Sequence, residues 1–108
     1  MFNFHVMYPP LEEGHFDYDY YVERHIPLVL GLMGSRCHSV TLDKGVSGMR
    51  SGSAPAFVAH AIVTCATMED LTEGLFPHLP TISADIPKFT NIKPLIWISE
   101  RVGSKTGV

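Results

Sequence analysis

Six of the 108 residues are histidines, and imidazole, with an ordinary pKa of about 6.5, gives and takes protons near neutral pH. His25 stands four residues after Tyr21 in an amphipathic stretch, which puts both on the apolar side of a helix. Placed there, His25 is a candidate general acid/base, with Tyr21 as hydroxyl donor and pocket wall. The competing reading is a core histidine satisfied by a carbonyl or a carboxylate. Asp85, just before Ile86-Pro87, also has two readings: it caps backbone amides at a turn, or it orients a histidine and shifts its pKa. His5 and His60 fall near the middle of two strands and can sit side by side. No third ligand has suitable spacing, so no metal site is assigned, and a polar spot in a subunit interface is preferred. His15, His38 and His78 read as loop, strand and helix-surface residues. Tyr18, Tyr20 and Tyr21 could line an aromatic pocket and offer a hydroxyl to a ligand; the competing reading makes Tyr18 and Tyr21, on the helical stripe, simple core, and Tyr20, off it, a surface residue.

Other chemistries lack their residues. Cys37 and Cys65 form no C-x-x-C pair, which excludes a disulfide scaffold and a structural zinc site and leaves free thiols. The chain has no G-x-S-x-G, no Walker pattern and no G-x-G-x-x-G, so no cofactor is expected. Eight Lys+Arg against eleven Asp+Glu give a net charge of −3. That balance offers no basic face to nucleic acid. Apolar residues make up 45% of the chain, enough for a core, yet no run approaches the roughly 20 residues that cross a bilayer. The N-terminus lacks a positively charged lead into an apolar run, so a cytoplasmic protein is expected. One domain is assigned to 1–102, with a polar, flexible tail at 103–108.

The elements that would hold these residues follow from pattern. Phe2, Phe4, Val6 and Tyr8 alternate with Asn3, His5 and Met7, a strand with two unlike faces that Pro9-Pro10 ends. Asp17 is the expected N-cap of a helix carrying Tyr18, Tyr21, Val22, His25, Val29 and Leu32 on its stripe and ending at Gly34. Pro27 within it predicts a kink that frees the Glu23 carbonyl. Arg36–Lys44 reads as a second strand, and 45–55 as a mobile Gly/Ser loop placed to gate a cavity. Ala56–Ala66 reads as a central strand, apolar on both faces. Thr67 to Asp70 resembles a capping box opening a second helix, which Pro77 and Pro80 kink or split. A last strand runs through Leu95–Ile98 within 91–102.

The order strand, helix, strand, strand, helix, strand is the α+β, ferredoxin-like βαββαβ sandwich, with an antiparallel four-stranded sheet and both helices on one face. The first and third strands are then central neighbours. Ala59 and Ala61 leave room beneath the helices, and the uncovered face of the third strand calls for a second subunit.

Asp17-Tyr18-Asp19-Tyr20-Tyr21, then His25-Ile26-Pro27-Leu28-Val29, together with Asp85-Ile86-Pro87-Lys88-Phe89-Thr90-Asn91 and Pro94, resemble the EthD family, named for a protein of ethyl tert-butyl ether degradation. The likeness runs from Val6-Met7-Tyr8-Pro9 to Ile98-Ser99-Glu100, and departs from the family at Pro77 and Pro80. It implies a dimeric α+β barrel, two sheets closed face to face in a homodimer. It also implies a place beside an oxidative monooxygenase system and a loose classing with oxidoreductases, with a small hydrophobic organic ligand and no bound redox cofactor. Tyr21, His25 and Asp85 are the positions that match the family pattern and could line a site. Three roles are distinguishable. An enzyme or auxiliary leaves an imidazole nitrogen open to a cavity, a carrier of a hydrophobic metabolite buries both nitrogens, and a structural dimer has no cavity.

Overall fold

Alternating side chains set the sheet. The computed structural model describes residues 1–107. In it β1 (Phe2–Tyr8), β2 (Ser39–Lys44), β3 (Ala59–Cys65) and β4 (Leu95–Glu100) pair antiparallel in the order β2-β3-β1-β4. Phe4, Val6 and Tyr8 stand opposite Val63, Ala61 and Ala59 on one face. His5, on the other face, stands opposite Ile62 and Trp97.

Two segmented helical layers lie across the first face. The first runs through α1 (Tyr18–Tyr20), a π turn (Tyr21–His25) and α2 (Ile26–Met33); the second contains α3 (Met68–Gly74) and α4 (Leu79–Asp85). Val29 and Met33 from one layer, and Leu71, Leu75 and Ile82 from the other, meet Phe4, Val63 and Cys65 in a single cluster. This is the α+β βαββαβ sandwich expected from the sequence.

Capping and proline chemistry place the breaks. The Asp17 carboxylate accepts from the Tyr20 amide at 3.0 Å, and Thr67 accepts from the Asp70 amide at 3.1 Å. Pro77 opens a 3-10 turn at Phe76–His78 and Pro80 opens α4. Each proline sits where the missing N–H has no helical partner to lose. Pro27 acts differently from the expected kink. The preceding turn widens, the Ile26 amide bonding back to the Tyr21 carbonyl, so that Pro27 stands at the head of α2.

Three further details differ from the sequence reading. The second strand starts at Ser39, because Gly34–Arg36 coils into a 3-10 turn. β3 is shorter than 56–66. Its uncovered face is also mixed, carrying His60, Ile62 and Thr64. On the edge strand β4 the uncovered face carries Leu95, 55% exposed, and Trp97, 40% exposed, while Ile96 and Ile98, 55% and 38% exposed, lie on the side of the helices. Residues 101–107 carry no regular secondary structure; the last position of the expected tail lies outside the described residues.

Gly34 ends α2 at φ 59° and ψ −135°, where its amide bonds to the Leu30 carbonyl. Nothing lies within 4 Å of a Cβ built at this position. A substitution there therefore meets a torsional cost and no clash. Gly34→Ala is expected to lower unfolding free energy by about 1–3 kcal/mol in urea titrations, at unchanged m-value. An unmoved midpoint would contradict a strained cap.

Candidate functional site

The site begins with the widened turn. Residues four apart share a face, and Tyr21 and His25, at the two ends of the π turn, are both buried. Across from them, α4 ends at Asp85, and a 3-10 turn (Ile86–Lys88) opened by Pro87 brings Phe89 under the first helical layer. Phe89 is fully buried. Its ring lies 4.7 Å from that of His25 and 5.1 Å from that of Tyr21, centroid to centroid.

This second segment also clasps the β1–α1 connection. The Asp17 amide donates to the Phe89 carbonyl at 2.8 Å, and the Thr90 hydroxyl to the His15 carbonyl at 2.6 Å. The Asn91 side chain accepts from the His15 amide at 3.0 Å. The two motifs, some 60 residues apart in sequence, thus form one hydrogen-bonded unit.

Within it, His25 Nδ1 lies 2.9 Å from Asp85 Oδ2. The other carboxylate oxygen accepts from the Tyr20 hydroxyl at 2.8 Å, with the Lys88 ammonium at 3.6 Å. Burial pushes Asp85 up, but the hydrogen bonds from His25 and Tyr20 prevail and hold its carboxyl below the ordinary value. An ionised carboxylate can only accept, so Nδ1 carries the proton. Burial pushes His25 below its ordinary value, against the opposing pull of Asp85. The imidazole is therefore neutral at pH 7, and Nε2 bears a lone pair.

No protein group takes up that lone pair. Among the described residues Nε2 has no protein hydrogen-bond partner, while no buried side-chain nitrogen or oxygen is left unpaired. His25 lines a cavity of about 50 Å³ with Tyr8, Tyr21, Val29, Leu79 and Ile96. The Tyr8 and Tyr21 hydroxyls likewise have no protein partner, and burial raises both well above the ordinary phenol range. They remain protonated donors. One proton acceptor and two hydroxyl donors in an apolar pocket form a site suited to moving a proton on a small molecule.

The EthD domain family profile matches residues 9–93, a span holding Tyr21, His25 and Asp85. This chain belongs to the EthD family. The solved structure of an EthD-like protein from Ralstonia eutropha JMP134 is similar over 97% of this chain and 95% of that one, at 38% identity and a TM-score of 0.89. An EthD family protein of Bacillus halodurans C-125 shares the fold at 16% identity and a TM-score of 0.69, covering 94% of this chain and 99% of its own. A protein of Arabidopsis thaliana does so at 15% identity and a TM-score of 0.60, covering 96% and 99%. No curated protein sequence matches the chain.

In this EthD chain Tyr21, His25 and Asp85 come together as one constellation. Tyr20, weighed from sequence as a pocket tyrosine but expected at the surface, joins it, as does Tyr8, which the sequence did not single out as a site residue. Tyr20 sits off the apolar stripe, and its half-buried ring sends the hydroxyl to Asp85. Tyr8 was legible only as a strand residue on the helix-facing side. Ala59 and Ala61 do make room, but the rings of Tyr8, Tyr21 and Phe89 fill it. No residue of 45–55 lines the cavity, so the Gly/Ser loop does not gate it.

His5 and His60 pair on the opposite sheet face at 3.1 Å. His5 also stacks on Trp97 at 4.7 Å and bonds to the Ser99 hydroxyl at 2.7 Å. Among the described residues no group of three His, Cys, Asp or Glu side chains is arranged to hold a metal. Burial, with Cys37 beside it, pushes the Cys65 thiol up to about 11.

A histidine whose folded pKa lies below its unfolded value binds fewer protons when folded. Its stabilising contribution is present above about pH 6.5 and is lost as pH falls towards the folded pKa. Asp85 adds a loss of the same sign lower down, below its ordinary 3.8. Urea unfolding between pH 7 and 5 is expected to show a steeper loss of stability in the wild type than in His25→Gln. Parallel profiles would contradict the depressed histidine.

Proposed function

We propose that this EthD protein performs a proton-transfer step in the oxidative degradation of ethers or other small apolar organic compounds. The observation that carries the reading is the free Nε2 of a neutral His25 whose Nδ1–H is fixed by Asp85. A carrier or a purely structural core would leave no such unpaired nitrogen on a ring that lines a cavity.

Oxidation of an ether at the carbon next to oxygen yields a hemiacetal, and collapse of a hemiacetal needs what this pocket holds. His25 Nε2 takes the hydroxyl proton as the carbonyl forms and the other C–O bond breaks. The departing alkoxide oxygen receives a proton from the Tyr21 hydroxyl, which is restored from imidazolium through water. Atoms and electrons balance without a redox group on this chain. The oxidant belongs to a partner monooxygenase system, which places the protein as an oxidoreductase auxiliary. Among the described residues no helix is long and apolar enough to cross a membrane, and the reading sets the work in the cytoplasm.

Acetaldehyde ethyl hemiacetal diluted into buffer, its collapse followed by carbonyl absorbance, tests the step. Wild type accelerates collapse, with a rate rising through a midpoint below pH 6.5. His25→Gln falls to the buffer rate, a loss on the order of 10²-fold or more. Equal rates for the two proteins would overturn the proposal.

The same reading includes a homodimer closed over the uncovered sheet face, the second half of a dimeric α+β barrel. Leu95 and Trp97 of β4, with Met7 and Ile62, give that face an apolar strip of the kind a partner covers. Light scattering at micromolar concentration is expected to give twice the mass of one chain, and Trp97→Glu to shift it towards one. A single-chain mass for the wild type contradicts the dimer.

A further inference from the structure

The chain has four tyrosines, and two of their hydroxyls serve the fold. Tyr18 donates to the Val58 carbonyl at 2.9 Å and Tyr20 to Asp85 at 2.8 Å. Tyr8 and Tyr21 are the other two, and among the described residues neither hydroxyl has a protein partner. The hemiacetal collapse uses Tyr21 and leaves Tyr8 without a task. Packing does not account for its hydroxyl either. The Tyr8 ring meets Phe16 at 5.0 Å and Phe89 at 6.1 Å, both edge to face. A phenylalanine ring would make those contacts equally well.

Tyr8 also belongs to a different wall of the cavity. Tyr21 and His25 come from the first helical layer, their ring centroids 4.8 Å apart, whereas Tyr8 ends β1 and pairs with Ala59 of β3. Its carbonyl accepts from the Val58 amide at 2.8 Å, so backbone and ring are both fixed. Only 1% of the residue is exposed. Among the described residues no buried side-chain oxygen is left unpaired. The Tyr8 hydroxyl is therefore not sealed in the core, and the cavity that Tyr8 lines beside His25 supplies the space it reaches. The two phenols are near enough that charge on Tyr8 disfavours ionisation of Tyr21. A protonated hydroxyl, fixed and without a partner, needs no rearrangement to bind an incoming oxygen.

We propose that Tyr8 is a catalytic residue that holds the oxygen from which His25 takes the proton, by donating a hydrogen bond to a lone pair on it. The substrate oxygen then bridges the two walls: its O–H donates to Nε2 of His25, and its lone pair accepts from Tyr8. As the proton leaves, negative charge builds on this oxygen before the carbonyl is complete. A donor already in place stabilises it most at that stage. The Tyr8 O–H bond stays intact. The proton moves to His25, the electron pair of the former O–H bond becomes the second bond of the carbonyl, and the other C–O bond breaks with Tyr21 protonating the departing oxygen. A product carbonyl accepts from Tyr8 in the same way, so the site takes compounds whose reacting carbon bears a hydroxyl or a carbonyl. The catalytic step rests on the reading of His25 as a proton-transfer group; the binding of oxygen by Tyr8 does not.

Butanone, which carries the carbonyl and undergoes no collapse, is the probe. Its C=O stretch, read by infrared difference spectroscopy at pH 7, is expected to show a bound band below the solution frequency. Tyr8→Phe keeps the ring and is expected to return that band to the solution frequency. In wild type carrying ¹³C at tyrosine Cζ, butanone is expected to move the Tyr8 signal and leave that of Tyr18 in place, a reading that needs no variant. In hemiacetal collapse Tyr8→Phe is expected to lower kcat by a factor on the order of 10², with the pH midpoint of the wild type retained because the base is untouched.

A bound band that survives Tyr8→Phe, the absence of a shifted band in the wild type, or an unmoved Tyr8 signal would overturn the proposal. A variant that keeps the full accelerated rate of the wild type would do the same. A wild type that leaves collapse at the buffer rate, yet shows the Tyr8-dependent band, would sink the proton-transfer reading and leave the oxygen site standing.

Discussion

A buried carboxylate must be surrounded by donors, and that requirement at Asp85 organises one end of this molecule. Leaving such a group unpaired costs several kcal/mol, and hydrogen bonds to a charged group contribute about 1.5–3 kcal/mol each. The imidazole of His25 and the hydroxyl of Tyr20 meet the need from the first helical layer, with Lys88 assisting at the rim. For both donors to reach one carboxylate, Tyr20 and His25 must present neighbouring faces of the same rod. The π turn between them is what permits it, and Pro27 stabilises the re-registered helix that follows.

The same arrangement makes the histidine chemically useful. Phe89, Tyr21 and the apolar cavity wall remove water from the imidazole, which disfavours its charged form. Asp85 pulls the other way and fixes which nitrogen bears the proton. The outcome is a neutral base with an unpaired Nε2, on a ring that lines a cavity together with two protonated phenols. Structural and chemical demands on Asp85 are therefore met by one set of contacts.

Much of this was legible in the chain. Strand alternation in Phe2–Tyr8, the caps at Asp17, Thr67 and Gly34, and the breaks at Pro77 and Pro80 are local signals that report local structure. Tyr21, His25 and Asp85 were legible as candidates because residue type and spacing marked them. Their meeting was not, since it depends on how α4 and its following turn dock on the first helix. Tyr20 was hidden because a π turn alters the facing of residues that an α periodicity assigns to solvent. Tyr8 was hidden because its hydroxyl is reached only from the far end of a strand. The alanines were read as making empty space when aromatic rings occupy it, a packing outcome that no spacing rule contains. The uncovered sheet face was anticipated from β3, whereas its exposed large apolar side chains, Leu95 and Trp97, are on β4. Hydropathy alone could not distinguish a central strand covered by helices from an edge strand that they miss.

All of this turns on the protonation pattern of one imidazole. Long-range proton–nitrogen correlation NMR on uniformly ¹⁵N-labelled protein at pH 7 reads it directly. A neutral ring with the proton on Nδ1 and a bare Nε2 is the result this account predicts. A proton on Nε2, or an imidazolium at that pH, would contradict it.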